Sequence, residues 1–292
     1  AARGAHQVVP AVEHSAVRLA AERHGEVTRV PVDHRGRVAV EDVLAAVRAD
    51  TALVHVQWGN HEVGTVQPVA EVVAACRERG VLVHVDAAQA VGHVDVDFHA
   101  LGADLLSLSA HKFGGPTGVG ALLVRQGLRL APLLVGGDQE RARRAGLENV
   151  AAIAGLGAVC AALSDGAVAA DGAEQRRLTG RILDAVADGA LGLEVYGDPV
   201  ERVPHIVCVG VEGVEPQAVL LGLDRAGIAA HSGSACSSEA LEPSPVLEAL
   251  GVDAHHSLRL SVGWSTTDAA IDRLLAALPA VLADLRALAR TE

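Results

Sequence analysis

Methionine is absent from all 292 residues, and of the 24 Lys and Arg residues only one, Lys112, is lysine. The chain opens on "AARGAHQVVPAVEHSAV" with no initiating residue, so we expect a fragment lacking its N-terminal part. Apolar runs such as "AVLLGL" and "ALLV" fall far short of the ~20 residues that span a bilayer, and no signal-like segment opens the chain. A cytoplasmic protein with no membrane partner is expected. The four cysteines, Cys76, Cys160, Cys208 and Cys236, include no CxxC pair, which argues against a zinc site and a disulfide framework. The formal charge is -12 with arginines scattered, so a nucleic-acid footprint is not expected either.

What is present is an alternation of strand and helix. Between 51 and 124, "TALVHVQW", "GVLVHVDA", "ADLLSLSA" and "GALLV" read as strands, and "PVAEVVAACRERG" as a helix ending in a basic turn and a glycine. This pattern predicts an α/β fold with a mostly parallel sheet covered on both faces. Past residue 150 comes an alanine-rich helix, then "SDGAVAADGA", which reads as a turn-rich patch. A second, α+β unit follows. It holds a helix near 173 to 189, the strand "PHIVCVGV", a helix in "PQAVLLGLDRAG", a Gly/Ser loop, a helix near 243 to 250, the strand "HSLRLSVG" and a closing helix from about 267. The boundary is placed near 165 to 170.

Ligands of open α/β sheets bind beyond the carboxyl ends of the strands, and the polar residues collect there. Asn60, His61 and Glu62 follow one strand, Asp86 and Gln89 the next, and Ser109, His111 and Lys112 the third. A lysine amine can form a Schiff base with an aldehyde cofactor, and a carboxylate can hold the ring nitrogen of pyridoxal phosphate protonated. Lys112 and Asp86 supply both. A solvated surface lysine and an aspartate in a turn are the plain alternatives. Against them, a surface cation could have been one more arginine, whereas guanidinium does not deprotonate to form an imine.

Three further positions bear on chemistry. Cys236 lies in "SGSACSSEALEPSP", a Gly/Ser composition suited to an exposed loop, so its thiol is the reactive candidate; alternatively Ser237 or Ser238 caps a helix and the cysteine is incidental. Cys76, Cys160 and Cys208 sit among Ala and Val and read as core. His14 in "VEHSAV" reads as a core or capping histidine, or as an imidazole stacked on a cofactor ring. Arg259 alternates with apolar neighbours in "SLRLSV" and calls for an anion, either from the protein or from a substrate carboxylate. His255 and His256 are adjacent and poorly placed to share one ion, so no metal role is assigned. "GGPTGVG" lacks the Walker ending and reads as a tight turn.

In order along the chain, "VEHSAV", "GNHEVGTVQP", "HVDAAQAVG", "SLSAHKFGGPTGVG", "RRAGLENV", "SGSACSSEALEPSPVL" and "HSLRLSVG" resemble the pyridoxal-phosphate-dependent cysteine desulfurases of the NifS/IscS class. The resemblance implies the fold-type I architecture of class-V aminotransferases, with a large cofactor domain at 1–168, N-terminally incomplete, and a small domain at 169–292 carrying the cysteine loop. It implies that Lys112 binds pyridoxal 5'-phosphate and shuttles protons, that His14 stacks on the ring, that Asp86 pairs with the ring nitrogen and that Gln89 bonds the phenolic oxygen. Ser109 and His111 would hold the phosphate, Asn60 or His61 would face the cofactor, and Arg259 would bind the substrate carboxylate. Cys236 would take sulfur from L-cysteine as a persulfide, leaving alanine, for delivery to an iron-sulfur scaffold or a thiolation relay. A homodimer is implied as well.

The chain departs from the family at Leu147, where many members have Thr, and at Trp264, where some have Arg; the family's phosphate loop lies upstream of its first residue. A selenocysteine lyase or another carbon-sulfur lyase, and a non-catalytic fragment or scaffold, are the alternative readings.

Overall fold

The computed structural model describes residues 4–164, 166–232 and 243–289. The first half runs β1 (His6–Pro10), α1 (Ser15–His24), β2 (Glu26–Val30), α2 (Val40–Ala46), β3 (Thr51–Gln57), α3 (Val69–Glu78), β4 (Leu82–Asp86), α4 (Phe98–Leu101), β5 (Leu105–Ser109) and β6 (Gly120–Val124). These strands form one sheet in the order β2-β1-β3-β4-β5-β6, parallel throughout except for β6, which pairs antiparallel with β5. The four elements from β1 to α2 were not legible as such in the sequence. "EVTRV" is an edge strand whose outward residues are charged or polar, so its apolar pattern is thin.

With five Phe, Trp and Tyr residues in all, the core depends on valine. One face of the large sheet packs Val8, Val54, Val56, Val83, Val85 and Leu106 against Val43 of α2 and Val72, Val73 and Cys76 of α3. Each such side chain, fully buried, contributes about 1.5–3 kcal/mol. β-branched valine also favours the extended backbone of the strands that carry it.

The other face carries a polar row across four strands. Ser107 Oγ lies 3.1 Å from His84 Nε2, His84 Nδ1 lies 3.0 Å from His55 Nδ1, and His55 Nε2 lies 2.9 Å from Gln7 Oε1. Gln7 Nε2 then donates to the Ala21 carbonyl of α1 at 3.1 Å. One consistent direction satisfies every member: the serine hydroxyl donates to His84, His84 to His55, and His55 to the glutamine oxygen. That chain requires both rings to be neutral. Burial supplies the condition, holding His84 below the usual histidine range and His55 down to about 3, the latter aided by the His84 charge.

Two helical segments lead out of the large sheet, a single turn α5 (Gln139–Ala142) and α6 (Val150–Ala162); α7 (Ala167–Ala187) then crosses to the second sheet. The expected turn-rich patch is largely the first turns of α7, which starts earlier than the helix expected near 173. Gly172 is not a helix break. A Cβ there would come within 2.8 Å of the His93 carbonyl oxygen, so glycine permits the close approach of α7 to the large sheet.

The remaining elements are β7 (Glu194–Tyr196), β8 (Ile206–Gly210), α8 (Pro216–Arg225), β9 (His231–Ser232), α9 (Pro245–Leu250), β10 (Ser257–Ser261) and α10 (Asp268–Ala289). The strands form an antiparallel sheet, β7-β8-β10-β9. Leu178 and Ile182 of α7, Val219 and Leu223 of α8 and Leu274, Leu278 and Leu282 of α10 cover one face of it. A third cluster, Val12, Val63, Tyr196, Cys208, Val246, Leu247 and Leu250, joins loops of the large sheet to the small one.

Cys76 and Cys208 are buried, as expected, and burial pushes their thiols up to about 11 and about 12. Cys160 corrects the expectation: it is exposed, because α6 is apolar all round and of its side chains only Ala152 is buried. Among the described residues no single helix is long and apolar enough to cross a membrane.

The polar row predicts a specific stability profile. His55→Ala, which strands the Gln7 oxygen and His84, should cost about 1–3 kcal/mol in urea unfolding at pH 7.5. His55 has a folded pKa of about 3 against an ordinary 6.5, so the unfolded chain takes up the proton first. Its contribution is complete above pH 6.5 and is lost progressively as pH falls toward 3. Unfolding at pH 7.5 and 5 should therefore show a smaller loss in His55→Ala than in the unmutated chain; an equal loss would rule this account out.

Candidate active site

The register of the central strands decides what meets what. Gln57 pairs with Asp86 and Asp86 with Ser107, so β3, β4 and β5 end at one edge and release their loops side by side. Asp86 closes β4 half-buried, with Oδ1 accepting the Ala88 N–H at 3.0 Å. Gln89 follows one turn later, its Oε1 3.0 Å from His205 Nε2. β5 runs into a 3-10 turn, Ala110–Phe113, that carries His111 and Lys112. Gly114, at φ 92, ends the turn and donates its N–H to the Ala110 carbonyl. Ser109 Oγ and His111 Nδ1 are 3.0 Å apart, with the histidine ring exposed. The Lys112 carbonyl accepts from His93 Nε2 at 3.0 Å, which pins the backbone that presents the amine.

His14 sits on the loop after β1 and is the N-cap of α1: its Nδ1 accepts the Ala16 N–H at 3.1 Å. Its ring meets that of His61 edge-on, centroids 4.7 Å apart. Burial drives its pKa down to about 4, helped by the positive charges of His61 and Lys112 and opposed by Asp86 and Glu62. Since Nδ1 accepts, the neutral ring carries its proton on Nε2.

Beside it Glu13 is buried. Its Oε1 accepts the Gln57 N–H at 2.5 Å, and its Oε2 has no hydrogen-bond partner among the described residues. Burial, then the Asp86 charge, raises it to about 8 against the pull of that N–H. At neutral pH Glu13 is therefore a carboxylic acid and adds no second negative charge beside Asp86.

Asn60 and His61 have separate tasks. Asn60 is fully buried and committed to backbone: Oδ1 accepts from the N–H groups of Glu62 and Val63 at 2.8 Å each, and Nδ2 donates to the Val12 carbonyl at 3.2 Å. His61 is buried with Nε2 3.4 Å from Glu62 Oε1, and its Nδ1 has no hydrogen-bond partner among the described residues. Of the two, His61 is the one with an unanswered polar atom.

Arg259, in the middle of β10, reaches back across the domains, with Nη1 donating to the His61 carbonyl at 2.9 Å. Between the two sheets lies a cavity of about 550 Å³ whose wall includes Gln89, His93, Lys112, His205, Arg259 and Trp264. His111 also lines it, whereas His14, Asp86, Asn60, His61 and Ser109 are not part of its wall. Cys236, with Ser237 and Ser238, lies outside the described residues. The N-cap that is described, on α9, is Ser244, whose Oγ accepts the Leu247 N–H at 3.2 Å.

Sequence reasoning did not single out Glu13, His93 or His205. His93 and His205 stack with centroids 3.6 Å apart and planes 15° from parallel. "AVGHVDV" and "VPHIVCV" read as histidines among core residues, and nothing local tells that the two rings meet.

The donor set is the one pyridoxal phosphate requires: an amine, a carboxylate, an amide, a hydroxyl and imidazoles gathered at strand ends beside a cavity. The cavity walled by Lys112, Gln89, His111 and Arg259 has room and polar groups for such a ligand, and the unpartnered His61 Nδ1 is a further polar atom on a neighbouring loop. Among the described residues no group of three or more His, Cys, Asp or Glu side chains is placed to hold a metal ion.

Residues 1–274 match the aminotransferase class-V family. The chain is 41% identical over 294 aligned positions to cysteine desulfurase IscS of Methanosarcina thermophila, covering 97% of this chain and 72% of that one. It is 43% identical to a cysteine desulfurase of Cereibacter sphaeroides, covering 96% and 74%. A solved NifS-like protein superposes with a TM-score of 0.87 at 29% identity, covering 97% of this chain and 76% of its own. On family match, identity and fold alike, the chain belongs to the class-V aminotransferase family, as one of its cysteine desulfurases.

Proposed function

We propose that the site takes L-cysteine, releases L-alanine and passes the sulfur to Cys236 as a persulfide, for a sulfur-accepting iron-sulfur scaffold or thiolation relay. The observation that carries this reading is the gathering of Lys112, Asp86 and His61 within electrostatic reach of His14, with Lys112 and Arg259 on the wall of one cavity. In this reading Lys112 holds pyridoxal phosphate, Asp86 faces its ring nitrogen, Gln89 its phenolic oxygen, and Ser109 with His111 its phosphate. His61 replaces Asn60 as the neighbour of the ring. When bound, the cofactor supplies an electron sink for charge that develops at the substrate Cα.

The chain's own residues do the rest. The Arg259 guanidinium, its plane set by the bond to the His61 carbonyl, binds the substrate carboxylate as a two-pronged donor. The Lys112 amine, once free of the cofactor, moves a proton at the substrate Cα. His14 is neutral at pH 7 and holds its proton at Nε2, ready to donate. Cys236 Sγ bonds to the substrate sulfur as the Cβ–S bond breaks, and Cβ takes up a proton to give alanine.

A homodimer accompanies this reading. Leu133, Val135, Leu147 and Val150, in the stretch leading into α6, are largely exposed, and apolar side chains left to water favour a partner surface. Three thiols are free among the described cysteines, in keeping with a reducing, cytoplasmic setting.

Kinetic, spectroscopic and hydrodynamic measurements test these statements. With L-cysteine and a reductant, Cys236→Ala should lower sulfide release by about 10²-fold or more, and Lys112→Ala should abolish the visible absorbance of bound cofactor. Full activity in Cys236→Ala would sink the persulfide route. His14→Asn keeps an N-cap acceptor for α1 but removes the imidazole, so Tm should hold while kcat falls by about 10²-fold; a matched drop in Tm would make His14 merely structural. Sedimentation should give twice the chain mass, and Val150→Asp should shift it toward the monomer.

A further inference from the structure

The stacked histidines join the two sheets, His93 from the segment after β4 and His205 from just before β8, and each ring holds something the reaction needs. His93 Nε2 donates to the Lys112 carbonyl, since a carbonyl oxygen can only accept, and its Nδ1 lies 3.0 Å from Gln175 Oε1 on α7. The donated bond to Lys112 thus ties the His93 ring to that backbone, and the Gln175 amide lies against its other nitrogen. His205, just before β8, stacks on it at 3.6 Å and cannot turn without losing that face. Only one of its nitrogens is bonded: Nε2 is 3.0 Å from Gln89 Oε1, while Nδ1 is buried with no hydrogen-bond partner among the described residues.

The proton of His205 can be located from these facts. Burial keeps the ring well below the usual histidine range, and the groups facing it (the His93 ring, Lys112 and Arg259 at the cavity, Arg202 on its own segment) push the same way. A neutral ring carries one proton. On Nδ1 it would be a buried N–H without an acceptor, whereas on Nε2 it donates to Gln89 and leaves only a lone pair unmatched. Nε2–H···Oε1 is therefore the bond. It spends the oxygen of the Gln89 amide on His205 and leaves the NH2 as the end of that side chain that can donate to a ligand in the cavity Gln89 lines.

We propose that His205 is a positioning residue: through Gln89 it sets which end of that amide meets the phenolic oxygen of the cofactor. The proposal rests on the reading that Gln89 faces that oxygen. The chemistry is one of sign. An NH2 group stabilises an anionic oxygen, and an amide turned by 180° would present a carbonyl oxygen to it instead. The same stacked pair ties this orientation to the Lys112 backbone through His93, so amine and amide are held from one support.

The experiment is a pH titration of the visible absorbance band of the cofactor-loaded protein. The deprotonated form of that chromophore carries the larger negative charge at the phenolic oxygen, so a lost donor disfavours deprotonation. His205→Leu should raise the band's pKa by about one unit, a tenfold change in the proton equilibrium. His205→Asn, which keeps an N–H donor, should titrate close to the unmutated protein. Gln89→Leu should show the same rise as His205→Leu, and the double variant no more than either alone.

An unchanged pKa in loaded His205→Leu overturns the proposal, as does a double variant whose shift is the sum of the two. If His205→Leu does not load, His205→Phe, which keeps a flat ring on His93, is titrated in its place and judged by the same outcomes. A visible band that is missing from the unmutated protein, or that persists in Lys112→Ala, overturns the cofactor reading itself and is a different result from a band that titrates unchanged.

Discussion

The register that sets Gln57 beside Asp86 and Asp86 beside Ser107 governs the chemistry of this chain. A slip by one residue in any of the three strands would turn its core-facing valines or leucine out of the core and its terminal polar group into it. The valine face therefore does two things at once. It stabilises the sheet, and it holds the carboxyl ends of β3, β4 and β5 in line, so that the loops carrying His61, Gln89 and Lys112 start from one edge. Parallel pairing makes this possible, because neighbouring parallel strands all end on the same side.

Around that edge the structure keeps ionisable groups neutral. Glu13 is raised, and His14, His55 and His205 are lowered, each first of all by burial. The consequence differs by place. Within the polar row, neutrality lets each ring donate once and accept once, so that a chain of bonds runs from β5 to α1. At the site it fixes where protons sit: on His14 Nε2, because Nδ1 caps α1, and on the Glu13 carboxyl, so that Glu13 adds no negative charge to that of Asp86. Low dielectric and a few backbone N–H groups do this without any metal-ligating cluster among the described residues.

How much of this was legible in the sequence follows from the range of the signals. The strand ends were readable because Asp86 and Lys112 each follow an apolar β-branched or leucine-rich run, and lysine's scarcity marked Lys112 at once. α7 was read too short because Asp171-Gly172 looks like a turn locally, whereas the glycine answers a distant carbonyl, that of His93. Cys160 was misplaced because an apolar helix reads as core whether or not anything covers it. The choice between Asn60 and His61 could not be made from adjacent residues; it depends on the Val12 carbonyl and on the N–H groups of Glu62 and Val63, which the fold alone brings to Asn60. The histidine stack was the least visible, since its two rings are 112 positions apart in the chain.

The two sheets are joined by unlike means in two places. On one side the contact is apolar, with Tyr196, Cys208 and α9 packed on Val12 and Val63. At the cavity it is polar and directional: Arg259 on the His61 carbonyl, His205 on Gln89, and His93 between α7 and the Lys112 carbonyl. An apolar contact tolerates small sliding, because its strength follows area rather than angle, while a hydrogen bond weakens steeply as its angle opens. The apolar side can thus act as a bearing and the polar side as the stop. The residues that set the amine, the amide and the guanidinium are the ones whose polar contacts join the two sheets, so the geometry of that junction and the geometry of the site are one constraint.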